Sequence, residues 1–332
     1  MSIHRLSLDE VSRSVLALYG LAQQLHVLEF REHALGWMHA HLSFDSAALG
    51  TLFYEQGGLR YRSCHLFKQP IEKILEYPAI AHLDPAALTL SNNSFSAKLY
   101  SVHDDALLKR SGYAPVLKYV ERFGVAQSLG YLRRKGSMGD GLVLWRGSRR
   151  QRYSASNGRL AEVLVPHLLQ AVQINLAHFT GASEVAVGPA GVVVATAQGV
   201  VSAFDQPAVE LLAKEWPQWQ PPFLPRELVE GLASAGALHY RGKHLCATRT
   251  VTGAALIVRL QPASSLARIT PAEWRVAELL ARGESYKAVA RWLGISDATV
   301  RNHAHAVYSK LQLKTKAELA RYIALNLGAG TR

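Results

Sequence analysis

The sequence predicts a multidomain protein: an α+β region of antiparallel sheets with flanking helices, followed by an all-α four-helix module. Three observations predict it. The chain has 332 residues, and at roughly 100 to 200 residues per domain two or three domains are expected. Up to about residue 260, helix-periodic stretches alternate with short β-type runs set around turn residues, the order of antiparallel sheets flanked by helices. Beyond residue 266, helix start and stop signals follow one another with no β-type run between them.

Residues 1–180 read as one α+β domain. Residues 8–42 are mostly helix-periodic, 47–54 and 59–67 look like strands around a Gln-Gly-Gly turn, and 71–77 returns to helix. A helix over 114–123 precedes strands over 125–133 and 141–145. A long helix over 156–179 closes the domain, with Leu160, Val163, Leu164, His167, Leu168, Ala171 and Ile174 on one broad face. Such an arrangement commonly encloses a small-molecule cavity. Residues 183–261 read as a smaller α+β domain: strands over 184–187 and 191–197, a helix over 207–212, a Pro-rich crossing, a helix over 226–233, and strands over 237–250 and 254–260. Residues 261–267 read as a linker.

Residues 266–328 form the helical module. Thr270-Pro271-Ala272-Glu273 is a capping box with Pro at the first helical position, so a helix starts there. Gly283 ends it by taking the left-handed conformation. Ser285 caps a second helix over 286–293, which Gly294 ends, and Ser296 caps a third over 297–311. A fourth, over 316–327, carries Leu319, Ile323 and Leu327 on one stripe, and apolar surface left over from packing there suits a two-fold dimer contact. Two helices joined by a short Gly-containing turn make a helix-turn-helix, whose second helix can enter a DNA major groove.

The third helix separates its faces as that task requires. Val300, Ala304, Val307 and Leu311 form an apolar stripe. Arg301, Asn302 and His305 lie on another face, and their types suit base edges, Arg donating twice to guanine and Asn binding adenine bidentately. Thr299, His303 and Lys310 flank that face as candidate phosphate contacts, with Ser285 and Lys287 added from the start of the second helix.

The charge distribution agrees. The chain carries +12, of which residues 266–332 supply +6 and residues 133–152 another +6. Clustered positive charge points to a polyanionic partner. The second cluster spans a predicted hairpin and its exit, where arginines either form a solvated edge or meet DNA backbone or an anionic ligand.

Several classes are excluded. No run approaches the ~18 apolar residues of a membrane span, and the amino terminus offers no signal-peptide core, so a cytoplasmic protein is expected. Cys64 and Cys246 belong to no paired spacing, which excludes a disulfide framework or a Cys-rich zinc site. His39/His41 and His303/His305 sit two apart on helices and point in different directions, so no metal site is expected. No phosphate-binding GxxxxGK[ST] loop occurs, Asp104-Asp105 does not fit a receiver domain, and no catalytic constellation stands out. An enzyme is therefore not expected, and no cofactor.

The stretch ITPAEWRVAELLARGESYKAVARWLGISDATVRNHAHAVYSKLQLKTKAELARYI resembles the LuxR-type (GerE-like) DNA-binding domain. The likeness rests on its leading hydrophobe-Thr, its Ala-x-Gly-x-Ser-x-Lys segment, its Leu-x-Ile-Ser-x-x-Thr-Val-Arg-x-His core and its Tyr-x-Lys-Leu ending. It implies base contacts at Arg301, Asn302 and His305, and phosphate contacts at Ser285, Lys287, Thr299, His303 and Lys310. The sequence departs from the family at Ala272-Glu273-Trp274-Arg275, usually Arg-Glu-Arg-Glu, and at Ala288, usually Glu; those positions mostly serve internal ion pairing. The element order of residues 1–180 is similar to GAF-like sensor domains, and that of 183–261 to a short PAS-type sheet. Asp84-Pro85 with upstream Tyr54 and Tyr61 is similar to acyl-homoserine-lactone-binding relatives, in which Asp, Tyr and Trp hydrogen-bond the ligand head. A Trp among those tyrosines is missing, and Asp-Pro is also a common turn or helix start. Tyr54, Tyr61 and Asp84 are thus the ligand-binding candidates, with no lactone assigned.

The resulting expectation is a transcriptional regulator that binds double-stranded DNA as a homodimer under control of a small-molecule effector, with no membrane partner. RNA polymerase is a further candidate partner. The alternative is control by a docked protein in place of a metabolite.

Overall fold

The computed structural model describes residues 7–55, 58–91, 95–135, 138–180, 191–233, 239–263, 270–311, 313 and 315–327. The chain divides into two compact units, Met1–Phe179 and Thr180–Arg332.

The first unit is built on a five-stranded antiparallel sheet. Its elements are α1 (Leu8–Gln24), α2 (Val27–His41), β1 (Ser46–Glu55), β2 (Gly58–Phe67), α3 (Glu72–Glu76), α4 (Pro85–Ser91), β3 (Ala97–Ser101), α5 (Ala114–Arg122), β4 (Gln127–Lys135), β5 (Met138–Arg146) and α6 (Ala155–Thr180). The strand order is β2-β1-β5-β4-β3. The helix-periodic stretch 8–42 is two helices, because Leu25 and His26 both take extended backbone between α1 and α2. Ser7 starts α1 with a full capping box to Glu10. The break is braced by Asn175 of α6, whose amide donates to the carbonyls of Ala22 and Leu25 at 2.9 and 2.7 Å.

Alternation along the strands divides the side chains between two faces. Ala47 and Leu49 of β1, Leu129 and Tyr131 of β4 and Leu142 and Leu144 of β5 pack in one core with Leu18 of α1, Phe30, Leu35 and Met38 of α2, and Leu164, Val165 and Leu168 of α6. Leu52 and Leu132 face the other side, where they meet Tyr77 and Ile80 from the turns between α3 and α4, Leu90 of α4, Val102 and Leu108 from the segment between β3 and α5, and Val116 of α5. Helix α6 is long and apolar enough to cross a membrane by length and composition, yet its middle is an interior helix of this unit.

The second unit begins with another five-stranded antiparallel sheet, of order β7-β6-β10-β9-β8. Its elements are β6 (Gly191–Thr196), β7 (Val201–Phe204), α7 (Gln206–Glu215), α8 (Arg226–Ala233), β8 (His239–Arg241), β9 (Leu245–Thr252) and β10 (Ala255–Pro262). Of the expected strand over 237–250, the described residues form two strands, interrupted where the Glu215 carboxylate accepts the amides of Lys243, His244 and Leu245. The expected strand over 184–187 lies outside the described residues. Helices α7 and α8 cover the sheet through Leu211, Leu212, Leu228 and Leu232 on Val193, Leu245, Val258 and Leu260.

Four helices follow: α9 (Pro271–Ala281), α10 (Tyr286–Leu293), α11 (Asp297–Leu311) and α12 (Lys316–Leu327). Tyr322 of α12 is buried, and its hydroxyl donates to Gln261 of β10 at 3.0 Å. The helical module is thus in contact with the second sheet.

Gly191 lies where β6 and α7 come very close: a Cβ there would run into the backbone of Ala208. Because that neighbour is backbone, α7 itself must move. Gly191→Ala is expected to cost about 1–3 kcal/mol, readable as a lower urea midpoint of the full-length protein.

Candidate DNA-binding face and small-molecule cavity

The helix-turn-helix is locally determined at each joint. The Thr270 hydroxyl accepts from the Glu273 amide at 3.3 Å while the Glu273 carboxylate accepts from the Thr270 amide at 2.7 Å. Gly283 and Gly294 take left-handed backbone at φ of 98° and 63°, ending α9 and α10 without the steric penalty of a Cβ. Ser285 and Ser296 accept from the amides of Ala288 and Thr299 at 3.2 and 3.1 Å. Lys316 donates to the carbonyls of Gly283 and Glu284 at 2.9 and 2.7 Å, closing the end of α9 from the start of α12.

Val300, Ala304, Val307 and Leu311 of α11 are buried against Val276, Ala277 and Leu280 of α9, Val289 of α10 and Leu319 and Ile323 of α12. That fixes the opposite side of α11 toward solvent. Arg301, Asn302 and His305 are all exposed there, and Thr299 and His303 are half-buried beside them. Ser285 and Lys287 are exposed at the start of α10. Arg301 is held on that face by Asp297 at 3.0 Å and lies over the Tyr286 ring at 5.5 Å.

Lys310 is placed differently from the rest. Its ammonium donates to both carboxylate oxygens of Glu273 at 2.7 and 2.6 Å, so it faces inward between α9 and α11. Burial works against the Glu273 carboxylate, but the bonds from Lys310 and from the Thr270 amide outweigh it and hold the carboxyl below its ordinary range.

Three arginines of the other basic cluster are engaged inside the first unit. Arg133 pairs with Asp140 at 3.2 Å and Arg152 with Asp104 at 2.7 Å. Arg146 is buried, donates to the carbonyls of Ser43, Gln151 and Arg152, and stacks 3.9 Å over the Tyr153 ring. Arg149 and Arg150 remain exposed.

Between the sheet and α3, α4 and α5 lies a cavity of about 90 Å³, room for several waters or a small organic group. Leu90 of α4 and Gly130 of β4 meet closely in its wall, where a Cβ on Gly130 would come to the Leu90 methyls at 3.1 and 3.2 Å. Tyr61 and Asp84 both line it. Tyr54 lies on β1, and its side chain is outside the described ones. The Asp84 carboxylate caps α4, accepting the amides of Ala86 and Ala87 at 2.9 and 3.3 Å and the Tyr77 hydroxyl at 3.0 Å. Burial raises its carboxyl, with the Tyr77 bond and the two amides opposing. Burial likewise pushes the Tyr61 and Tyr77 phenols well up, so both remain neutral donors. A side chain that sequence reasoning did not single out, Lys73 of α3, also lines the cavity. Burial lowers its ammonium to about 7, with Asp84 opposing. Among the described residues no group of three or more His, Cys, Asp and Glu side chains could hold a metal ion.

Residues 267–323 match the family model for bacterial regulatory proteins of the luxR family, GerE. The carboxy-terminal domain is a LuxR-family helix-turn-helix. Over 52 residues the chain is 48% identical to a protein of Aeromonas salmonicida named as an HTH-type transcriptional regulator of the exeN 3′ region, a match covering 16% of this chain and 26% of that one. The chain therefore spans about a quarter of that relative's length. Among solved structures, Escherichia coli SdiA is similar over 96% of this chain and 98% of its own, at 13% identity and a TM-score of 0.39. An N-acylhomoserine-lactone-dependent LuxR-family transcription factor of Burkholderia cenocepacia is similar over 51% of this chain and 97% of its own, at 12% identity and a TM-score of 0.37. The phycoerythrobilin-bound GAF domain of a cyanobacterial phytochrome is similar over 52% and 96%, at 15% identity and a TM-score of 0.33. At these scores the likeness is distant and carries nothing about ligands.

The Glu273 carboxylate is stabilised in the folded state, so its contribution is present above the unfolded carboxyl value near ~4.3 and is lost as pH falls through the depressed folded value. Glu273→Gln is expected to cost about 1–3 kcal/mol near neutral pH, seen as a lower melting temperature. The gap between variant and wild type should close in acid.

Proposed function

We propose that the protein is a sequence-specific, DNA-binding transcriptional regulator whose amino-terminal region senses a small molecule and controls the carboxy-terminal helix-turn-helix. The observation that carries the reading is the two-sidedness of α11: a buried apolar stripe on one side, and Arg301, Asn302 and His305 exposed together on the other, within a LuxR-family domain. In this reading Arg301, Asn302 and His305 touch base edges, while Ser285, Lys287, Thr299 and His303 touch phosphates. Lys310 reaches a phosphate only by leaving Glu273. The protein acts as a homodimer on an inverted repeat with half-sites about one helical turn apart.

The sensing half rests on the cavity of the first unit, which pairs an apolar lining with a few converging polar groups. Occupancy and DNA affinity are then linked by a coupling free energy of about 1–3 kcal/mol, and the linkage is reciprocal. Native mass spectrometry of full-length protein from cells tests this half: a mass excess that disappears on denaturation is expected.

The DNA-binding half is tested by titrating selected duplexes at several salt concentrations. Arg301→Ala should lose about 1–3 kcal/mol on the preferred site and relax its base preference. Lys287→Ala should weaken all duplexes alike and reduce the salt slope by about 1. Equal binding of Arg301→Ala and wild type to the preferred site would remove the base-reading assignment.

A further inference from the structure

One group in the cavity is explained neither by packing nor by its neighbours. Lys73 is only 2% exposed, and its ammonium has no hydrogen-bond acceptor among the described residues. Three aromatic rings surround it instead, with the nitrogen 4.2 Å from the centre of Trp145, 5.0 Å from Phe123 and 5.4 Å from Tyr119. Ring faces attract an ammonium, but they do not replace the hydrogen bonds it made to water in the unfolded chain. A methionine would fill the same narrow space without that loss.

The acid that lines the cavity with it is already engaged. Asp84 acts on Lys73 electrostatically, yet its carboxylate receives the Tyr77 hydroxyl and the amides of Ala86 and Ala87. The charge of Asp84 is thus met at the start of α4, and the charge of Lys73 is met by no hydrogen-bonding group. Lys98 of β3 lines the same cavity, so two cationic side chains border it against one acid. The rest of the lining is mainly apolar, with Ile80, Val102 and Leu108 among its walls.

We propose that this cavity takes a small organic carboxylate, its anionic end received by the Lys73 ammonium within the ring of Tyr119, Phe123 and Trp145, and its apolar body lying against Ile80, Val102 and Leu108. The assignment rests on the small-molecule reading of the first unit and names the class of molecule that reading leaves open. A cavity of about 90 Å³ fits a short-chain or single-ring acid. The carboxylate supplies the acceptor that Lys73 lacks, and desolvation makes that ion pair stronger than the same pair in water. A neutral molecule of equal shape gains the apolar contacts alone.

The test uses the full-length protein and two matched pairs of probes, hexanoate with hexanamide and phenylacetate with phenylacetamide, at pH 6.5. Binding is read by ligand-observed NMR titration. At least one acid should bind about tenfold or more tightly than its own amide, and Lys73→Met should abolish that difference. The unliganded variant should melt at or above the wild-type temperature, because it loses a buried ammonium and keeps the packing. Equal affinity of acid and amide for the wild type, or an acid preference that survives Lys73→Met, would overturn the carboxylate assignment and leave the small-molecule reading standing. Silence of all four probes would overturn both. A variant that melts below wild type would make Lys73 a structural group and overturn the assignment too. The acid-to-amide comparison needs only the wild type, so it decides the matter even if the variant does not fold.

Discussion

The central strands of the first sheet are covered on both faces, and the rest of that unit follows from this constraint. A pleated strand sends alternate side chains to opposite sides, so β1, β4 and β5 must satisfy two environments at once. On one side Leu49, Leu129, Leu142 and Leu144 meet α1, α2 and α6 in a filled core. On the other, Ser128, Gly130 and Val143 present less bulk, and the covering elements are the short α3, α4 and α5 with their connecting turns. Small side chains under short helices leave space. The cavity is therefore a product of the sheet's second face, and its walls are held by the same strands that anchor the first.

The helical module obeys a different constraint, in which one side chain joins two jobs. Glu273 completes the cap of α9 and also holds Lys310 near the end of α11. The start of α9 and the end of α11 are thereby tied across the module, while Val300, Ala304 and Val307 fix the rotation of α11 about its axis. Placement of Arg301, Asn302 and His305 toward solvent is a consequence of this burial. A surface side chain is aimed by what lies beneath it.

This difference explains what could be read from the sequence. The four carboxy-terminal helices were legible almost to the residue, because Thr270, Ser285, Ser296, Gly283 and Gly294 each act on backbone within a few positions. The strands β1, β2, β4 and β5 were legible as β-type runs set around turn residues. β3, with its sequence Ala-Lys-Leu-Tyr-Ser, and the four-residue β7 were not: such segments gain their structure from strand partners. The pairing of Lys310 with Glu273 spans 37 positions, and no local pattern announces it. Lys73 was invisible for the same reason. In the run Ile-Glu-Lys-Ile-Leu-Glu it looks like a solvent-facing residue of an amphipathic helix, and only the approach of Tyr119, Phe123 and Trp145 makes it an interior one. Three arginines of 133–152 show the converse: close along the chain, Arg133, Arg152 and Arg146 are divided by the fold among Asp140, Asp104 and backbone carbonyls.

Helix α6 bears on how this chain is made. Its middle completes the core against β1, β4 and β5 and the two leading helices, yet it is the last element of the first unit to leave the ribosome. Until residue 172 or so has emerged, Leu49, Leu129, Leu142 and Leu144 lack one of their three covering helices. During that interval the nascent sheet has an oily, partly open side, and the segment on its way is itself long and apolar. Domains fold as units once their last element is available, and exposed apolar surface before then invites misassembly. The boundary at Phe179 is therefore also a deadline in translation: a chain stopped short of α6 leaves the sheet without its lid, whatever the quality of its hairpins.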